Sequence, residues 1–91
     1  MKYLQDYIDN KNAWTRFFNA PAINFPLTQA EVKSLAGGLD SDLSPENLHC
    51  DGEISHAAAE RKYQYYGKVI KDLDRYCANQ GLTMPKIYEY Y

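Results

Sequence analysis

The sequence predicts an all-α fold: a small bundle of three main helices plus a short connecting helical turn, with a long C-terminal helix as its spine. Three observations carry that expectation. Apolar or near-apolar residues recur at helical intervals in three stretches, the longest being Ala59, Tyr63, Tyr66, Ile70, Leu73 and Cys77. Helix start and stop signals bracket two of them, Thr28-Gln29-Ala30-Glu31 at one and Gly81 at the other. The weak alternation from Leu82 to Tyr91 would suit a strand, but no second strand is in view to pair with it.

The first helical stretch holds Tyr3, Leu4, Tyr7, Ile8, Trp14, Phe17 and Phe18. Asp9-Asn10-Lys11-Asn12 is a poor helix run in its middle, and Asn12 is a fitting N-cap for a fresh start at Ala13. One bent helix and two short ones both satisfy the pattern. Residues 20–26 read as extended, because Ala20 and Phe25 precede prolines and are pushed out of the α region.

The second helix starts at Thr28, where Thr28 and Glu31 form a capping box and Leu27 and Val32 a hydrophobic staple. Its apolar set is Leu27, Val32, Leu35 and Leu39, and Gly37-Gly38 predicts an end near Ala36. Ser44-Pro45-Glu46 then signals a short helical turn through Leu48. The third helix runs from an N-cap at Ser55 to Gln80, roughly 26 residues and about 39 Å at 1.5 Å per residue. Val69 and Tyr76 widen its apolar stripe, while Arg61, Gln64, Lys68 and Arg75 fall on the opposite face. Gly67 interrupts it at about 1 kcal/mol relative to Ala.

Ninety-one residues imply one helical domain over 1–91, with 82–91 as a C-terminal tail. No apolar stretch is long enough to span a membrane, and the start Met1-Lys2-Tyr3-Leu4 lacks a signal core, so a cytoplasmic protein is expected. Net charge is −2, which disfavours a sequence-blind nucleic-acid binder. Acidic residues gather at Asp40, Asp42, Glu46, Asp51 and Glu53, ahead of the basic third helix, where they complement its dipole.

Candidate chemistry is sparse. Two cysteines are too few for a disulfide scaffold, and Cys77 on the apolar stripe reads as a small buried hydrophobe. His49, Cys50, His56 and Cys77 supply zinc-ligating atoms without the paired short spacings zinc sites use. Thiolate formation at Cys50 is opposed by Asp51 and Glu53. The run Asn47 to Ser55 half matches a calcium-binding EF-hand loop but places Ala58 where the bidentate glutamate must stand. His49, Asp51, Glu53 and His56 are acid–base residue types in no recognised catalytic spacing. No metal, no cofactor and no enzymatic activity are expected.

Tyrosine is the unusual entry in the composition, nine residues beside three Phe and one Trp. Tyr63, Tyr66 and Tyr76 suit the apolar stripe, whereas Tyr65 points away from them and Tyr88, Tyr90 and Tyr91 crowd the C-terminus. So small a domain cannot bury every ring, and tyrosine is enriched at interfaces. Trp14, Tyr65, Tyr88, Tyr90 and Tyr91 are therefore the expected partner-binding anchors. The opposing reading has the tail fold back so that its tyrosines pack on the bundle. Covering both sides of the long helix from so few other residues predicts a homodimer or a stable hetero-partner. The alternative function is nucleic-acid binding through Arg61, Lys68, Lys71 and Arg75, although Asp72 falls inside that face.

The stretch Leu43 to Tyr76 centres on Asn47-Leu48-His49-Cys50-Asp51-Gly52-Glu53-Ile54-Ser55, followed by Glu60-Arg61-Lys62-Tyr63-Gln64-Tyr65-Tyr66. It resembles short uncharacterised proteins of tailed bacteriophages. The resemblance covers about a third of the chain and implies a class of role: a non-enzymatic, phage-encoded modulator or inhibitor that binds a bacterial host or defence protein in the host cytoplasm. It assigns no functional residue.

Overall fold

The computed structural model describes residues 2–19, 21–44 and 56–87. Among them the fold is all-α, as expected, with helices α1 (Lys2–Thr15), α2 (Gln29–Asp42) and α3 (His56–Gln80) and a 3-10 turn at Arg16–Phe18. Both α1 and α2 pack on α3, the spine. The predicted turn from Pro45 to Leu48, the Ser55 cap and the partly EF-hand-like loop lie outside the described residues, apart from the loop's last three positions, 56–58, which are helical.

The α1 segment is one continuous helix through the poor run at 9–12. Asn12 does not restart it. Its amide instead clamps the extended segment, with Nδ2 donating to the Ile23 carbonyl and Oδ1 accepting the Ile23 N–H, each at 2.8 Å. The start of α1 is capped from across the molecule. The N–H groups of Tyr3 and Leu4 donate to the Asp72 carboxylate at 3.0 and 3.2 Å, satisfying donors that a helix leaves open at its first turn. Asp72 is thereby turned from the predicted basic face to α1. The contact also fixes α1 antiparallel to α3, since Tyr7 then meets Tyr66 edge-on at 6.2 Å further along.

The capping box of α2 forms as predicted: Glu31 N–H donates to Thr28 Oγ1 at 3.1 Å and Thr28 N–H to the Glu31 carboxylate at 2.9 Å. Leu27 and Val32 are both buried. The predicted end near Ala36 is wrong, because the helix passes through Gly37-Gly38 to Asp42. Two interior glycines cost about 1 kcal/mol each. Leu39 and Leu43, both fully buried beyond them, contribute about 1.5–3 kcal/mol each. Burial outweighs the stop signal.

The predicted stripe of α3 is the core. Ala59, Val69, Ile70, Leu73, Tyr76 and Cys77 are buried, and Tyr63 and Tyr66 are half-buried. They meet Leu4, Tyr7 and Ile8 of α1 and Val32, Leu35, Ala36 and Leu39 of α2. Tyr76 also joins the interior electrically, its hydroxyl accepting the buried Leu27 N–H at 2.8 Å. The helix ends as expected at Gly81 with φ of +70°. Leu82 N–H then donates to the Cys77 carbonyl at 2.9 Å, the bond of a Schellman cap.

Residues 82–87 are extended but belong to no sheet. Their backbone is held by one side chain, since Gln29 Nε2 donates to the Thr83 carbonyl and Gln29 Oε1 accepts the Thr83 N–H, each at 2.8 Å. Ile87 closes the core at 1% exposure. The tail thus folds back at least to Ile87.

Candidate functional site

At the end of α1 remote from Asp72, the chain leaves the helix through the tight turn Arg16–Phe18 and stops at Asn19, whose φ of +55° is left-handed. A 3-10 turn nearly eclipses side chains three apart. Trp14 and Phe17 accordingly lie side by side, ring centroids 6.3 Å apart and tilted by 60°. Trp14, Phe17 and Phe18 are 69, 81 and 75% exposed. The core beneath closes without them, so these rings form an apolar patch rather than a frayed edge of the interior.

Beside the patch, a groove of about 740 Å³ lies between α1, the end of α2 and the first turns of α3. Trp14 stands in the lining of this groove as well as in the patch. Tyr7, Tyr65 and Tyr66 contribute rings, while Lys11, Arg61 and Lys62 contribute cations against one carboxylate, Asp42. That carboxylate accepts the Tyr7 hydroxyl at 2.9 Å. Lys11 rides over the Tyr7 ring, 5.8 Å from its centroid. Arg61 and Lys62 meet no carboxylate among the described residues.

Tyr7 and Tyr65 are held in their neutral form. Burial pushes the Tyr7 phenol well above its ordinary range, and the adjacent Asp42 charge and hydrogen bond add to the shift. Burial also raises Tyr65, assisted by the hydrogen bond its hydroxyl donates to Asp6 at 2.6 Å. Neither is a general base near neutral pH. The Cys77 thiol is pushed up by burial and by nearby Asp74, which makes it a poor nucleophile. Among the described residues no group of three or more His, Cys, Asp or Glu could hold a metal. None of the described helices is long and apolar enough to cross a membrane.

Of the predicted anchors, Trp14 and Tyr65 are brought to one groove. Trp14 is exposed in the patch. Tyr65 does not point away from its neighbours as expected. It is half-buried, 5.5 Å from the Tyr66 ring and 6.4 Å from the Tyr3 ring. Tyr88, Tyr90 and Tyr91 lie outside the described residues. Of the basic set, Arg61 lines the groove and Lys68 sits 5.1 Å over the Tyr3 ring, while Lys71 and Arg75 are exposed further along α3.

The spacing alone groups Phe17 and Phe18 with the helical apolar face and marks Lys11 only as part of a poor helix run. The proline at 21 and the paired aromatics ahead of it were the available signal that the helix, and with it the buried face, ends before them. Comparison with protein-family models, with curated proteins and with solved structures finds no match to this chain.

Proposed function

We propose that this chain is a non-enzymatic protein-binding module whose partner docks on Trp14, Phe17 and Phe18, with Tyr65 behind them in the neighbouring groove. The observation that carries the reading is the exposure of three large rings within five residues of chain, two of them in ring contact, while the core formed by the described residues contains none of them. Aromatic anchors of this kind dominate binding energy at protein interfaces, and each ring buried contributes about 1.5–3 kcal/mol. The resemblance of residues 43–76 to phage proteins supports a bacterial protein as partner, bound so that its activity is blocked or redirected.

The test is capture of a bacterial protein by the intact chain, compared with Phe17→Ala/Phe18→Ala and Trp14→Ala. Loss of capture with unchanged helicity supports the reading, and full capture by all variants removes it. Sedimentation at several concentrations separates a homodimer using the same rings from a hetero-partner. The alternative, nucleic-acid binding through Arg61, Lys68, Lys71 and Arg75, draws support from Arg61, Lys68 and Arg75 recurring every seven residues along α3, about 10.5 Å apart. Mobility shifts with generic DNA and RNA at two salt concentrations decide it, because phosphate contacts weaken steeply with salt.

A further inference from the structure

We infer that the groove between α1 and the first turns of α3 is a binding site for a free nucleoside phosphate, its phosphates on Arg61, Lys62 and Lys11 and its base against the Trp14 indole. Three features of the groove point the same way. Its charge is lopsided among the described residues of the lining: three cations stand against one carboxylate, that of Asp42, which accepts the Tyr7 hydroxyl. An anion is the occupant that this charge complements.

The second feature is the exposed ring. Trp14 meets Phe17 edge to face and is 69% exposed, leaving indole surface open at the groove margin. Bases stack on such surfaces at about 1–3 kcal/mol each. A bare phosphate would use the cations and leave the ring idle, whereas a nucleotide uses both. The side-chain amide of Asn10, also in the lining, donates to Asp6 at 3.4 Å, and its carbonyl oxygen adds an acceptor for a sugar hydroxyl or a base edge.

The third feature is size. A groove of about 740 Å³ falls within the roughly 300–1,000 Å³ of small-ligand pockets. It suits one nucleotide rather than a strand, whose path would continue along the surface. Lys68, the next cation in the row from Arg61, is placed over the Tyr3 ring instead of extending the groove.

Trp14 is the sole tryptophan, so its emission reports occupancy directly. The intact chain is titrated with ADP, adenosine, inorganic phosphate and a short oligothymidylate, each to about 1 mM, the weak limit of useful affinity. Saturable quenching by ADP is expected, with adenosine and phosphate each weaker by at least about tenfold. Arg61→Ala/Lys62→Ala should weaken ADP by a similar factor while the thermal midpoint stays in place. Trp14→Ala, followed by calorimetry, should weaken ADP but not phosphate.

Phe17→Ala/Phe18→Ala should leave ADP binding intact, which separates this site from the protein-docking patch. No saturation by ADP overturns the proposal. So does equal affinity for adenosine, or insensitivity to loss of Arg61 and Lys62. Binding of oligothymidylate without ADP also overturns it, in favour of a nucleic-acid surface.

Discussion

Asp72 shows how one side chain can connect two elements. Its carboxylate accepts two N–H groups at the start of α1, 68 and 69 positions away in sequence, and its negative charge also complements the positive end of that helix. Asp72→Ala should lower unfolding free energy by about 0.5–2 kcal/mol, the usual cost of a lost cap. Asp72→Asn, which keeps an acceptor, should cost less. Urea titration followed by circular dichroism measures both.

The pH dependence is set by Tyr7, Tyr65 and Cys77. Phenols and thiols in the unfolded chain ionise near their ordinary values of 10.0 and 9.0, while all three are raised in the fold. The unfolded state therefore releases protons first as pH climbs. The contribution of these groups is full below about pH 9 and lost progressively above it. Tyr7→Phe should flatten that alkaline loss in a plot of unfolding midpoint against pH, and cost about 0.5–1.5 kcal/mol at neutral pH through the missing bond to Asp42. An undiminished alkaline slope in this variant would contradict the assignment.

Among the elements, α2 poses the sharpest test because adjacent glycines sit in different surroundings. A Cβ at Gly37 would meet nothing within 4 Å, so Gly37→Ala should stabilise by about 0.5–1 kcal/mol, the ordinary helix preference. At Gly38 the added atom would lie 2.7 Å from Lys11 Nζ and 3.2 Å from the Tyr7 hydroxyl. The lysine end can swing away, but the tyrosine is fixed by Asp42. Gly38→Ala should therefore gain less than Gly37→Ala or lose stability outright, as thermal midpoints of the pair will show. The small residue at 38 is what admits α1 so close.

The other helix end behaves as local chemistry requires. Gly81 adopts the left-handed conformation that terminates α3, and substitution by alanine should cost about 1 kcal/mol. The extended segments before α2 and after α3 are held differently, by the amides of Asn12 and Gln29, each pairing with both backbone groups of a distant residue. These bonds give an extended chain the hydrogen bonding of a ladder without a second strand.

For the whole molecule, the position of Ile87 separates two truncations. Removing residues from 86 onward deletes a fully buried side chain and should lower stability by about 2–5 kcal/mol. Ending the chain after Ile87 keeps that side chain and removes only Tyr88, Glu89, Tyr90 and Tyr91, so an unfolding midpoint that stays in place assigns those four residues no part in stability. That shorter chain is also the proper test of the terminal tyrosines as partner anchors, since any loss of capture would then be free of a folding defect.

Much of the helical framework was legible in advance. The Thr28 box, the Gly81 terminus and the apolar stripe of α3 involve residues a few positions apart, and helical geometry converts that spacing into neighbourhood. The end of α2 was misread because a local breaker was weighed without the burial of Leu39 and Leu43. The exposed aromatic patch was only partly legible: Trp14 stood out, but Phe17 and Phe18 share the periodicity of the core and differ from it in their exposure.

Composition and spacing alone thus settled where the three helices lie, though not where α2 ends, and which faces are apolar, because those properties follow from interactions within a turn or two. They did not settle the partners of Tyr7, Tyr65 and Asp72, which lie 35, 59 and 69 positions away. Nor did they settle which rings stay wet or where three cations converge. Those outcomes depend on how α1 and α2 pack on α3, and a contact between remote segments leaves no periodic trace in the chain that makes it.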